Sequence, residues 1–416
     1  MTTSTPVTST STTLPPVGYS NLDGMPVYDQ ALLDRRVLMV KIDNAEPAQP
    51  QSGIEFADAV TEILVEDGTT RFIAMFHYSD AEFLGPTRSL RPADLQIAAA
   101  LGATMVNTGA QPWITAMAIA RDIPRVTFYP EIMYRIPDRD LPHDVYGSTL
   151  DYREFADERG FPDEAPSPWM PFGDWPLPPD TATTVTLTWV EGFNEVEWHY
   201  NPATQRYERW FRGGYQHWID QDGEGGRIDA EVLVVIAARF YFAQPPPGVR
   251  GSAVPAVDSV GAGTAWVFSR GRVWKGTWKR DAETEPFQFL DDQGRSVTVP
   301  PGRLWVSLLP TDQVHYFPDA GRAAMTNDRE GSVSERGLEP PRAVRPLGPQ
   351  PSASANSATP TWGGAVYPSS LARVSVVQPS LTRLYQKPAF QVSPPTDGLW
   401  TNPAIRSGHA APTSTR

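Results

Sequence analysis

The stretch Gly85-Pro86-Thr87-Arg88-Ser89-Leu90-Arg91-Pro92-Ala93-Asp94 places two arginines three residues apart, directly ahead of a helix signal. Pro92 suits a first helical turn, and Ala93 to Gly102 has the composition to continue it. Just upstream, Arg71-Phe72-Ile73-Ala74-Met75-Phe76-His77 reads as a strand. A turn between a strand and a helix N-terminus offers guanidinium forks, free backbone N–H groups and the positive end of a helix dipole. All three favour negative charge, so the stretch is expected to be an anion receptor.

Working outward, Val37 to Ile42 is a short apolar run ending at Asp43-Asn44, the pattern of a buried strand with polar groups at its carboxyl end. Ile54 to Ala57 has room for one helical turn. Ala59 to Glu66 and Arg71 to His77, joined by Asp67-Gly68-Thr69-Thr70, read as a hairpin. A strand at 103–106, a helix from Trp113 to Ala120 and a helix at 149–159 capped by Ser148 complete a mixed α/β domain over 36–160. A Pro- and Trp-rich linker, 161–181, is expected to be pinned to a surface by its aromatic side chains. From Thr183 alternating and aromatic runs such as Thr184 to Trp189 and Glu195 to Tyr200 predict an antiparallel β-rich domain over 182–317. Residues 1–35, rich in Ser, Thr and Pro, read as disordered, with Gly18 to Tyr28 able to pack as irregular structure, and the low-complexity tail 318–416 reads as mostly disordered. The fold class is therefore α+β, two domains between tails.

The chain has 416 residues and a formal net charge of -13, with 43 prolines and no cysteine. That excludes disulfides, thiol catalysis and Cys-ligated zinc. Charge is uneven: residues 1–317 carry -17 and residues 318–416 carry +4. An acidic body disfavours non-specific nucleic-acid binding, and no apolar run is long enough for a transmembrane segment. The first sixteen residues lack the basic and apolar regions of a signal peptide and resemble the spacer that follows an export signal or anchor.

Several side chains carry chemistry. Arg71, Arg88 and Arg91 could converge on a phosphate or carboxylate, with Asn44 and Asp94 beside them. The competing expectation is an internal ion-pair network with Asp43, Asp58, Glu62, Glu66 or Asp94. Asp43, Glu62 and Glu66 are candidate ligands for Mg²⁺, although their spacing matches no known metal loop. Asp43, His77 and His143 are the candidate acid–base residues; a lone histidine is more often structural. Tryptophans 169, 175, 189, 198, 210 and 218 suit either sugar stacking or core packing, and strand-borne aromatics favour the core.

Residues 36–317 resemble the YerB family of bacterial envelope proteins, also called DUF3048. The resemblance rests on Val40-Lys41-Ile42-Asp43-Asn44, Ala48 to Gly53, Glu62 to Gly68, Thr70-Arg71-Phe72, Gly85 to Pro92 and Pro142-His143, with Tyr207-Glu208-Arg209 and Gly276-Thr277-Trp278 in the β-rich part. Asp144, Asn107 to Ala110 and Glu231 depart from the family pattern. The resemblance implies an extracytoplasmic location at the cell envelope. The order of strand, hairpin and Pro-Thr-Arg turn is also similar to that of the LytR-CpsA-Psr phosphotransferases, whose motifs are not reproduced. Three functions are thus open: binding of an anionic cell-wall or lipid-linked ligand, Mg-dependent phosphoryl transfer or pyrophosphate hydrolysis on lipid-linked glycans, and a scaffold for another envelope protein.

Overall fold

The computed structural model describes residues 15–318. The expectations for 1–14 and 319–416 lie outside the described residues. A ten-stranded mixed sheet runs in the order Gln288–Leu290, Arg272–Arg280, Gly261–Ser269, Val232–Ala237, Leu304–Leu309, Ala59–Leu64, Thr70–Phe76, Leu38–Asp43, Thr104–Val106, Arg125–Val126. The predicted hairpin is present, with Ala59–Leu64 antiparallel to Thr70–Phe76. The short strand Thr104–Val106 lies parallel to Leu38–Asp43.

Period-two alternation divides the core between the two faces of this sheet. Met39, Ile73 and Met75 face the helices Pro92–Leu101 and Pro112–Ile119 through Leu95, Ile97, Leu101 and Ile114. Leu38, Val40, Phe72 and Ala74 face the other way. There they meet the helix Thr149–Glu158 through Tyr152 and Phe155, and a second sheet through Val185, Leu187, Val196 and Trp198. The second sheet runs Gly214–Tyr215, Arg206–Phe211, Asn194–Asn201, Thr184–Val190, Val314–Phe317, with Asp229–Ala230 added to Arg206–Phe211. Ser148 caps its helix as predicted, accepting from the Leu150 N–H.

Two expectations are corrected. The β-rich region is not purely antiparallel: Val232–Ala237 pairs parallel with Leu304–Leu309, which pairs parallel with Ala59–Leu64. The strands on either side of the Pro/Trp linker thus share one sheet. Parallel neighbours need long connections, so no local pattern announces which strands will meet. The sign that was available is burial on both faces: Val232–Ala237 and Leu304–Leu309 are apolar almost throughout, as strands inside a covered sheet must be.

The second correction concerns the N-terminal segment. Residues 15–35 are ordered, with the strand pair Gly18–Tyr19 and Pro26–Val27 and the helical turn Gln30–Asp34. Leu22 is fully buried, and its carbonyl accepts from Trp169 Nε1 at 2.7 Å. Trp169 in turn meets Phe287 edge-on, so the linker is held by aromatic packing as expected. A segment this short has no periodicity of its own; tertiary contacts order it.

Asp23 ties this segment down and is nearly sealed from solvent. It accepts from Tyr78 Oη at 2.6 Å. Burial pushes its carboxyl up to about 7; hydrogen bonds from Tyr78 oppose this and the nearby Asp58 adds to it. The raised value means the neutral acid is favoured in the folded state. Its stabilising effect is complete below the ordinary carboxylate range and disappears as pH rises through about 7. Asp23→Asn should remove up to about 4 kcal/mol of pH-dependent stability, seen as a flatter melting temperature between acid and mildly alkaline pH.

Candidate functional site

The carboxyl end of Leu38–Asp43 and the start of Thr70–Phe76 bring Asp43 directly opposite Arg71. The turn beginning at Gly85 is sewn alongside them. Asp43 N–H donates to Pro86 O at 2.9 Å, Arg88 N–H to Lys41 O at 2.8 Å, and Thr87 N–H to Val145 O at 2.7 Å. Gly85 has to be glycine, because a Cβ there would sit 2.8 Å from the Tyr146 ring and from Val145 O. These bonds place Arg88 beside Asp43 and bring in the loop that carries His143.

Three cations of this cluster have carboxylate partners. Lys41 Nζ lies 2.7 Å from Asp94 Oδ1, and both side chains are fully buried. Burial lowers the lysine to about 8, and Asp94 resists that shift. Arg91 contacts Glu66 Oε2 through Nε at 2.9 Å and Nη2 at 2.8 Å, and its Nη1 donates to Leu90 O at 2.9 Å. Burial works against ionised Glu66, but Arg91 outweighs it and holds the carboxyl below its ordinary range. Arg88 Nε lies 2.8 Å from Asp43 Oδ2, a charge contact without hydrogen-bond alignment. His143 Nδ1 meets the same oxygen at 2.6 Å.

Arg71 differs. Its side chain is 7% exposed, its Nη1 donates to Ser89 O at 3.0 Å, and its Nε is buried without a partner. Among the described residues no carboxylate forms an ion pair with it. Burial, then repulsion from Arg91 and Arg88, pushes it down to about 10, against the weaker attraction of Asp43 and Glu66. An arginine so placed is an electrostatic cost that a bound anion would offset.

The structure therefore assembles Arg71, Arg88, Arg91, Asp43, Asp94 and His143, and separates the other candidates. Asn44 follows Asp43 in the strand direction and points to the opposite face. There its Nδ2 donates to Thr70 Oγ1 at 2.8 Å and its Oδ1 accepts from Gln51 at 3.0 Å and Gln216 at 2.8 Å. Glu62 is turned away for the same reason: it stands opposite Phe72, whereas Asp43 stands opposite Arg71. Its carboxylate is fully buried against Arg209 Nη2 at 2.6 Å, Thr70 Oγ1 at 2.7 Å and Trp305 Nε1 at 3.1 Å. Asp43, Glu62 and Glu66 thus each face a different cation, and among the described residues no three His, Asp or Glu side chains are grouped to hold a metal ion.

His77 sits past the far end of Thr70–Phe76, about 20 Å along the strand from Arg71. Its Nε2 donates to Leu33 O at 2.9 Å and its Nδ1 meets Ser20 Oγ at 3.0 Å. Burial, with repulsion from Arg35 and Arg153, lowers it to about 4. It is a neutral histidine holding the N-terminal segment. The tryptophans follow the packing expectation in the core: Trp169, Trp189 and Trp198 are fully buried, and Trp198 meets Trp305 edge-on.

Two buried cations, Lys41 and Arg209, fall outside the set of candidate site residues. Lys41 stands in the apolar run Val37 to Ile42, and a lysine inside a buried strand has to find a counter-charge. That signal was readable. For Arg209 no local signal existed, since its partner lies 147 residues away. Two surface grooves, one lined by Trp175, Arg270 and Pro300 and one by Tyr129, Glu154 and Phe155, lie apart from the arginine cluster.

The family model described as "Protein of unknown function (DUF3048) N-terminal domain" matches residues 22–162, and its C-terminal counterpart matches 185–306. A relative in Bacillus subtilis (strain 168), named "Putative lipoprotein YerB", is 24% identical over 289 residues, covering 68% of this chain and 83% of the relative. The crystal structure of YerB from Bacillus subtilis superposes with a TM-score of 0.62 at 22% identity, covering 72% of this chain and 99% of that one. The chain belongs to the DUF3048 family, and its fold is that of YerB.

Proposed function

We propose that the protein binds an anionic group, a phosphate or a carboxylate, through Arg71 and Arg88 in an extracytoplasmic setting at the cell envelope. The observation that carries this reading is the buried guanidinium of Arg71, which has no carboxylate partner while its three cationic neighbours each have one. Arg88, with a side chain 20% exposed, offers the site a solvent-accessible guanidinium. Arg91, bonded to Glu66 and to backbone, holds the turn, and Asp94 neutralises Lys41 behind the site. The envelope setting is supported by the lipoprotein name of the Bacillus relative.

The test is calorimetric titration of the full chain with inorganic phosphate and with acetate. Arg71→Ala should abolish the binding seen with the unaltered chain. Its melting temperature should stay the same or rise, because a buried unpaired charge is removed. Absence of binding by the unaltered chain, or a loss of several kcal/mol of stability in the variant, overturns the reading.

A further inference from the structure

We propose that His143 and Asp43 form an acid–base pair that hydrolyses a phosphodiester held by Arg71 and Arg88; this rests on the anion-binding reading above. Four observations support it. His143 Nδ1 lies 2.6 Å from Asp43 Oδ2, which directs the Nδ1 proton to the carboxylate and leaves Nε2 with its lone pair. Nε2 forms no hydrogen bond within the described residues and is not among their sealed polar atoms, so it opens to solvent.

The pair is also held in place from both sides. Asp43 ends a central strand, and its Oδ1 accepts from Ala45 N–H at 3.2 Å. The His143 loop is fastened by His143 N–H to Asp140 O at 2.8 Å, by Arg135 to Asp144 at 2.6 Å, and by Arg139 Nη2 to Pro50 O. A base must be oriented before it is useful, and this one is oriented before any ligand arrives.

Charge selects the substrate class. Lys41, Arg88 and Arg91 are matched by Asp94, Asp43 and Glu66, which leaves one positive charge, that of Arg71. A phosphodiester carries one negative charge on two non-bridging oxygens, and two guanidinium groups can each take one of them.

The step balances without a further reactant. A water oxygen forms a bond to phosphorus while His143 Nε2 takes one of its protons, and one phosphorus–ester oxygen bond breaks. The departing alkoxide, on the far side of phosphorus from the attacking water, takes a proton from solvent, and Nε2 gives its own back to solvent. The products are an alcohol and a phosphomonoester, and His143 is returned to its starting state. Asp43 stabilises the imidazolium formed between these events.

The test uses the full chain with bis(p-nitrophenyl) phosphate as the reacting probe and dimethyl phosphate as the unreactive binding probe. The unaltered chain should release nitrophenolate, and His143→Gln should release it at least about 100-fold more slowly. Dimethyl phosphate binding and the melting temperature of the variant should be preserved. Added imidazole should restore turnover to His143→Ala, a readout that a purely structural histidine would not move. Binding of dimethyl phosphate without hydrolysis by the unaltered chain, or hydrolysis undiminished in His143→Gln, overturns the acid–base pair and leaves anion binding standing. If dimethyl phosphate does not bind while inorganic phosphate does, the phosphodiester reading falls and anion binding stands; if neither binds, both fall.

Discussion

Glu62→Ala is expected to cost about 3–5 kcal/mol of stability, read as a lowered urea midpoint, because it leaves Arg209 buried and unpaired. Both side chains are wholly inaccessible. The guanidinium sits 5.2 Å from the Phe72 ring centre, 5.6 Å from that of Trp305 and 5.9 Å from that of Trp198. Those rings attract a cation through their faces, but they cannot replace a carboxylate. Glu62 lies on the ten-stranded sheet and Arg209 on the second sheet, so the pair spans the contact between them. Replacing both, as in Glu62→Leu with Arg209→Met, should recover most of the loss, since exchanging a buried ion pair for apolar side chains is often neutral. A double variant as unstable as the sum of the two single variants would show that the charges do not act as a pair.

Asp94→Ala should be of similar size for a related reason. It strands the Lys41 ammonium in the core, costing about 3–5 kcal/mol, and removes the carboxylate oxygen that accepts from the Arg91 N–H at 2.6 Å. That second contact fixes the entry of the helix Pro92–Leu101, and its loss adds about 1 kcal/mol. Asp94→Asn keeps an acceptor for the Arg91 N–H but not the charge. Combining it with Lys41→Met should therefore restore much of the stability lost in either single variant. Denaturation midpoints of the four proteins settle the point: simple additivity would rule out the pairing.

How much of this was legible beforehand follows from the range of each interaction. The hairpin at 59–76, the helix after Pro92 and the Ser148 cap were readable because their signals lie within a few residues of one another. The arginine turn was readable as a cationic feature. That Asn44 and Glu62 would turn away from Asp43 follows from strand alternation, once the register is known. The contact between Asp43 and His143 crosses 100 residues of chain, so the sequence offers both side chains for their chemistry and nothing that joins them. The ordering of residues 15–35 had no local signal, because Leu22 and Asp23 are fixed by Trp169 and Tyr78 from elsewhere in the chain.

By itself the sequence determined the local elements, the absence of thiol chemistry, the family, and the presence of several arginines and acids near one turn. Tertiary structure decided that Leu304–Leu309 would lie beside Ala59–Leu64, that Lys41 would meet Asp94, and that Arg71, among the three arginines of the cluster, would lack a carboxylate partner. The physical reason is that hydrogen-bonding and apolar periodicity are set by neighbours along the chain, whereas counter-charges are assigned by which side chains folding brings within a few ångströms. Three arginines that look equivalent in the sequence become two matched cations and one without a carboxylate partner.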